Sequence, residues 1–130
     1  MQRKEVRDMR IEIKRIYEPA AEGDGRRVLV DRLWPRGVSK QSARLDEWLK
    51  DAAPSPELRT WFGHREENFE RFSEMYRFEL DADAAKQSAV RHLLELARAG
   101  KLTLLYAARS ETVNHAAVLR GVLEERIGDL

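Results

Sequence analysis

Leu102-Thr103-Leu104-Leu105-Tyr106-Ala107 is a continuous run of apolar and β-prone side chains, with Gly100-Lys101 before it and Ala108-Arg109-Ser110 after it. A run of this length without a polar alternation reads as a strand covered on both faces. Val28-Leu29-Val30 gives the same signal in shorter form and reads as a second central strand. Near the start, Met9, Ile11 and Ile13 alternate with charged residues, the period of a half-buried strand, and Ile16 breaks the alternation. The connection Tyr17–Arg26, with Pro19 and Gly23-Asp24-Gly25, is shorter than a crossover helix requires. The first two strands are therefore expected to pair antiparallel, or to run parallel only with another strand between them.

From Ser39 onward the period changes to a helical one. Leu45, Trp48 and Leu49 fall at helical spacing. Ser55-Pro56-Glu57 reads as a helix start: a capping hydroxyl, a proline where no amide hydrogen is needed, and an acid near the positive helix end. Leu58, Trp61 and Phe62 form its expected buried face and Gly63 its stop. A longer helix is expected from about His64 to Leu80, with Phe69, Phe72 and Tyr76 inward and Met75 beside them. Val90, Leu93, Leu94 and Ala97 mark another, closed by Gly100, and Ala116, Leu119, Val122 or Leu123, and Ile127 mark the last. Strands separated by helical segments, with no repeat or linker, predict an α/β fold. It should be a single compact domain over 1–130, with a small, mostly parallel sheet of about three or four strands covered by several helices.

Composition narrows the function classes. The 130 residues include no cysteine, which excludes a disulfide framework, thiolate catalysis and Cys-ligated metal. With 24 Lys+Arg against 23 Asp+Glu, the chain lacks the global basicity of a protein that coats nucleic acid by charge alone. The charge is unevenly placed: Met1–Arg44 carries a surplus of five basic residues, Leu45–Ala85 a surplus of six acidic ones, and Lys86–Leu130 a surplus of two basic ones. The first 15 residues read as neither signal peptide nor membrane span, so a cytoplasmic location with no membrane partner is expected.

Two loops carry the candidate chemistry. The second strand runs into Asp31-Arg32-Leu33-Trp34-Pro35-Arg36-Gly37. Charged groups at the end of a central strand need pairing or an open crevice, and Pro35 with Gly37 holds the loop and lets its backbone approach a ligand. The structural alternative has Asp31 paired with Arg32 or a neighbour and Trp34 capping the core. The last strand ends in Arg109-Ser110-Glu111-Thr112-Val113-Asn114-His115, which leads into the final helix, with Ser110 or Thr112 as its expected cap. If the two strands run parallel, both loops emerge on one rim, where α/β sheets hold their ligands. Arg32 or Arg36, Arg109, Asn114 and His115 would then converge beside Asp31, a set suited to a phosphate- or carboxylate-bearing molecule. A third cluster, Trp61-Phe62-Gly63-His64, lies at a helix junction; His64 reads first as helix initiation and packing, second as pocket lining. Glu66 and Glu67 follow it, but without HExxH or a paired His no metal is assigned. No GxGxxG, GxxxxGK[ST] or GxSxG is present, and no cofactor is assigned.

Together, DRLWPRG, APSPELRTWFGH and LLYAARSETVNHAAVL resemble the bacterial DUF488 family, in its short YeaO-like branch. The resemblance runs from about Ile11 to the final helix. It implies a DUF488-like α/β domain and lends weight to Asp31, Arg32, Trp34, Pro35, Arg36, Gly37, Trp61, Gly63, His64, Asn114 and His115. It carries over no reaction. Other branches have a Cys-His-Arg-like segment at the last strand, where this chain has Tyr106-Ala107-Ala108-Arg109, so a thiol mechanism is closed to it.

The leading expectation is a binder of a small anionic molecule, with enzymatic activity left open. Asp31 and His115 are the candidate acid–base pair; Arg32, Trp34, Arg36, Gly37, His64, Arg109 and Asn114 are the candidate ligand contacts. The alternatives are nucleic-acid binding through the Arg-rich amino-terminal third, with Trp34 stacking, and a protein-interaction patch of Trp34, Trp48 and Trp61. The acidic middle block weighs against the first, and helical spacing places Trp48 and Trp61 in the core. Oligomeric state is left open.

Overall fold

A computed structural model describes residues 10–128; Met9 of the expected alternation lies outside them. Four strands form one sheet: β1 (Ile11–Arg15), β2 (Arg26–Leu29), β3 (Glu47–Trp48) and β4 (Leu102–Tyr106). They lie in the order β1-β4-β2-β3, and every pairing is parallel. The antiparallel pairing of the first two strands does not form. The last strand enters between them, so the other arrangement left open by their short connection is the one adopted. The physical reason is burial: all five residues of β4 are buried, and the centre of the sheet is the one position that covers both faces of such a strand. β1, with one apolar face, takes an edge. The turn into β2 needs Gly25, at φ 66°, because a Cβ there would meet the Lys101 carbonyl oxygen at 2.4 Å.

Five α-helices complete the fold: α1 (Lys40–Ala43), α2 (Pro56–Phe62), α3 (Phe69–Ala82), α4 (Ala84–Ala99) and α5 (His115–Gly128). Alternate strand residues face two cores. Val28, Val30, Leu102, Leu104 and Tyr106 pack with residues of α2 to α5, including Phe72, Tyr76, Leu93 and Leu119. Leu29 and Leu105 point the other way, against Ile16 and Ala43, with Trp34 and Trp48 at the margin. Both expected candidates at the last helix, Val122 and Leu123, are buried.

Ser55-Pro56-Glu57 starts α2 as expected: the Ser55 hydroxyl accepts the Leu58 amide hydrogen, and Gly63 closes the helix in the left-handed conformation. Three helical expectations are corrected. Leu45, Trp48 and Leu49 lie on no helix, because Arg44 turns left-handed after α1. The Asp46 and Leu49 amides then donate to the Arg27 and Leu29 carbonyls, drawing the segment to the sheet edge. Trp61 is 46% exposed rather than buried. His64 starts no helix: it sits at φ 60°, a 3-10 turn occupies Glu66–Asn68, and α3 begins at Phe69.

Away from the helical layer, the sheet holds a buried ion pair. The Arg27 guanidinium bonds Asp24 and the Ala43 carbonyl. Lys14 Nζ lies 3.1 Å from both Asp24 oxygens. Burial raises the Asp24 carboxyl pKa, but hydrogen bonds from the Ala21 amide, Lys14 and Arg27 outweigh it and hold the pKa below its ordinary value. A depressed folded-state pKa contributes stability that is complete above the unfolded-state value and is lost as pH falls through the folded-state value. Asp24→Asn should therefore lower unfolding stability at neutral pH by about 3 kcal/mol, the scale for orphaning a buried charge. Urea titrations should show the gap to wild type narrowing as pH falls below the ordinary carboxyl value of about 4 and on through the lower folded-state value, where the wild-type carboxyl gains its proton.

Candidate functional site

A cleft of about 630 Å³ opens at the carboxyl ends of β2 and β4. The chain leaving β2 joins the core that contains Trp34, Val38 and Ala43. The chain leaving β4 enters α5, whose Ala116 and Leu119 lie in the opposite core. Two adjacent parallel strands whose continuations part to opposite faces leave a crevice at their ends. Asp31, Arg32, Trp34, Arg36, His64, Arg109, Asn114 and His115 all line it. Gly37 does not; it sits at φ 78° in the turn that follows.

The floor is tied across the strands. The Ala107 amide donates to Asp31 Oδ2 at 3.1 Å, and among the described residues Asp31 pairs with no arginine, Arg32 included. His115 Nε2 lies 3.0 Å from the Val30 carbonyl oxygen and 3.2 Å from Asp31 Oδ1. A carbonyl only accepts, so Nε2 carries a hydrogen and directs it to Val30. The approach to Asp31 Oδ1, which has no hydrogen-bond partner, is thus an electrostatic contact. Below the imidazole stands the Tyr76 ring, edge-on with centroids 6.2 Å apart. Its buried hydroxyl donates to the Ala52 carbonyl. Burial, then the nearby Glu79 and Asp31 charges, push its pKa well above the ordinary value and keep it a donor.

Asn114 has a structural task. It is buried; its Oδ1 accepts the Ala117 amide hydrogen at 2.8 Å and its Nδ2 donates to the Ser110 carbonyl. It therefore caps α5, correcting the expectation of Ser110 or Thr112. Ser110 Oγ instead accepts the Thr112 and Val113 amides, which shapes the approach turn. On the other wall, Trp34 Nε1 donates to the Val38 carbonyl and its ring meets Trp48 edge-on, centroids 5.2 Å apart. Trp48 Nε1 in turn donates to the Asp31 carbonyl. Trp61 joins neither ring and has no ring partner among the described residues.

Sequence reasoning left out Tyr17, Leu33, Arg59 and Phe62, which also line the cleft. Arg59 stood inside the quoted APSPELRTWFGH segment; its position on α2, facing the two loops, is a product of the fold. Arg15 also went unassigned. It holds the β4 loop through the Ala107 and Ala108 carbonyls, and its guanidinium lies 4.9 Å from the Tyr17 ring centroid. Tyr17 donates to the Arg36 carbonyl, linking the two lips.

Charge around the opening is one-sided. Arg32, Arg36, Arg59 and Arg109 are exposed on its lining, and their guanidinium groups make no hydrogen bond or ion pair with the described residues. Among the described residues Asp31 is the one carboxylate on the wall. Among the described residues no group of three or more His, Asp or Glu is placed to hold a metal ion, and no helix is long and apolar enough to cross a membrane.

Residues 10–129 match the family model DUF488-N3i, described as the inactive DUF488-N3 subclade. The chain is 46% identical over 111 residues to the uncharacterized protein YeaO of Escherichia coli K12, covering 85% of this chain and 94% of that protein. It is 41% identical over 121 residues to the uncharacterized proteins Mb3100c of Mycobacterium bovis and Rv3073c of Mycobacterium tuberculosis H37Rv, covering 93% of this chain and 99% of each. No solved structure matches it.

The capping assignment has a direct check. Asn114→Ala should lower unfolding stability by about 1–2 kcal/mol in urea titration, through loss of the cap to α5. Thr112→Ala, at an exposed hydroxyl, should stay within about 0.5 kcal/mol of wild type.

Proposed function

From the premise that this chain belongs to the DUF488 family, in its inactive N3 subclade, we propose that it binds a small anionic molecule in the β2–β4 cleft without turning it over. The observation that carries the reading is the set of four guanidinium groups, unpaired among the described residues, around an opening with a single carboxylate. Like charges gathered at one opening repel one another, and an anion relieves that repulsion. Guanidinium forks also match phosphate and carboxylate oxygens in a planar, bidentate way.

Binding without turnover fits the cleft's chemistry. The chain has no cysteine, and the Ser110 hydroxyl oxygen, already accepting two amide hydrogens, is poorly disposed to attack. Asp31 and His115 are the groups chemically able to exchange a proton, but the Asp31 and His115 contacts described above tie the ends of β2 and β4. In this reading they hold the floor while Arg32, Arg36, Arg59 and Arg109 meet the anion, with Trp34 and His64 as walls. The subclade's description as inactive agrees.

The test is calorimetric titration with inorganic phosphate and sulfate, against sodium chloride of equal ionic strength. Wild type should bind one of the two saturably, and Arg36→Ala should weaken that binding about tenfold, or 1.4 kcal/mol. Arg36→Lys should fall between them, since the charge stays and the fork is lost. Equal binding by all three proteins overturns the assignment. Salt-sensitive binding of random single-stranded DNA in preference to either ion would favour the nucleic-acid reading instead.

A further inference from the structure

The aromatic floor and one exposed side chain ask for more than a bare anion. Leu33 lies between Arg32 and Trp34 on the β2 loop, lines the cleft and is 59% exposed. It belongs to neither hydrophobic core, so packing gives no reason for a leucine there. Part of the lining is apolar and buried: Ala53, Pro54, Phe62 and Phe72. The Phe62 and Phe72 rings stack with centroids 4.1 Å apart and planes 15° from parallel. Those faces are taken up by one another and Phe72 is fully buried, so this wall meets a guest through the margin of Phe62, backed by a rigid stack. The cleft volume of about 630 Å³ is that of sites for whole organic molecules, well beyond one phosphate.

Resting on the anion-binding reading, we infer that the ligand is an amphipathic organic anion, a phosphate ester or carboxylate carrying a ring, with Leu33 as a specificity-determining contact. The anionic head meets the arginines at the mouth. The ring lies inward of the arginines, toward the margin of Phe62, and Leu33 covers its outer side. Water leaves the exposed Leu33 side chain on binding, which adds affinity that an inorganic ion does not gain.

The experiment compares two probe pairs by calorimetry: inorganic phosphate with phenyl phosphate, and acetate with phenylacetate. Each is titrated into wild type, Leu33→Ser and Arg36→Ala. In wild type, the ring-bearing member of at least one pair should bind about tenfold or more tighter than its partner, and the pair that shows this identifies the head group. In Leu33→Ser that ratio should fall to within about threefold of unity. The thermal midpoint without probe should stay at the wild-type value, because the side chain is exposed. A wild-type ratio near one, with phosphate binding still weakened about tenfold in Arg36→Ala, overturns this inference and leaves the anion-binding reading standing. A high ratio that Leu33→Ser does not change removes Leu33 from the site. No saturable binding of any probe overturns both readings.

Discussion

The last strand enters the sheet between the first two, and the rim of the cleft follows from that placement. Two buried strand ends, at Val30 and at Tyr106, come side by side, and their backbone groups must find partners away from water. The Asp31 carboxylate takes the Ala107 amide, and His115 reaches back from α5 to the Val30 carbonyl. These two bonds, from opposite directions, join segments 76 and 85 residues apart along the chain. They set the distance between the two loops and so the width of the opening.

Charge in this molecule divides into two populations. Asp24, Arg27 and Lys14 are drawn together behind the sheet, where low polarity makes an unpaired ion costly. Arg32, Arg36, Arg59 and Arg109 stand in water around the cleft without protein partners among the described residues. The first population serves the fold. The second costs the folded state some mutual repulsion, and a guest of opposite sign offsets it.

Much of this was legible along the chain. The α/β class, the two central strands, the Ser55-Pro56 helix start and the Gly100 stop are local signals, governed by burial period and capping chemistry over a few residues. So was the pair of polar loops, because charged residues directly after an apolar strand stand out against their surroundings. The failures are equally physical. Leu45, Trp48 and Leu49 carry a helical spacing but are claimed by the edge of β2, where sheet hydrogen bonds outweigh a weak local preference. The cap of α5 lay at Asn114 rather than Ser110 or Thr112, since three hydroxyl or amide side chains in five residues satisfy the same local rule and only the turn geometry separates them.

By itself the sequence determined which two segments are the buried central strands, where α2 begins and ends, where α4 stops, and that no thiol chemistry is open to this chain. These follow from residue type and from neighbours within a turn or two. Strand order, the cleft's second wall with Arg59 and Phe62, and the exposure of Leu33 were decided only by tertiary structure. Each depends on contacts between residues far apart in the chain, and a local pattern carries no record of which distant segment will cover it.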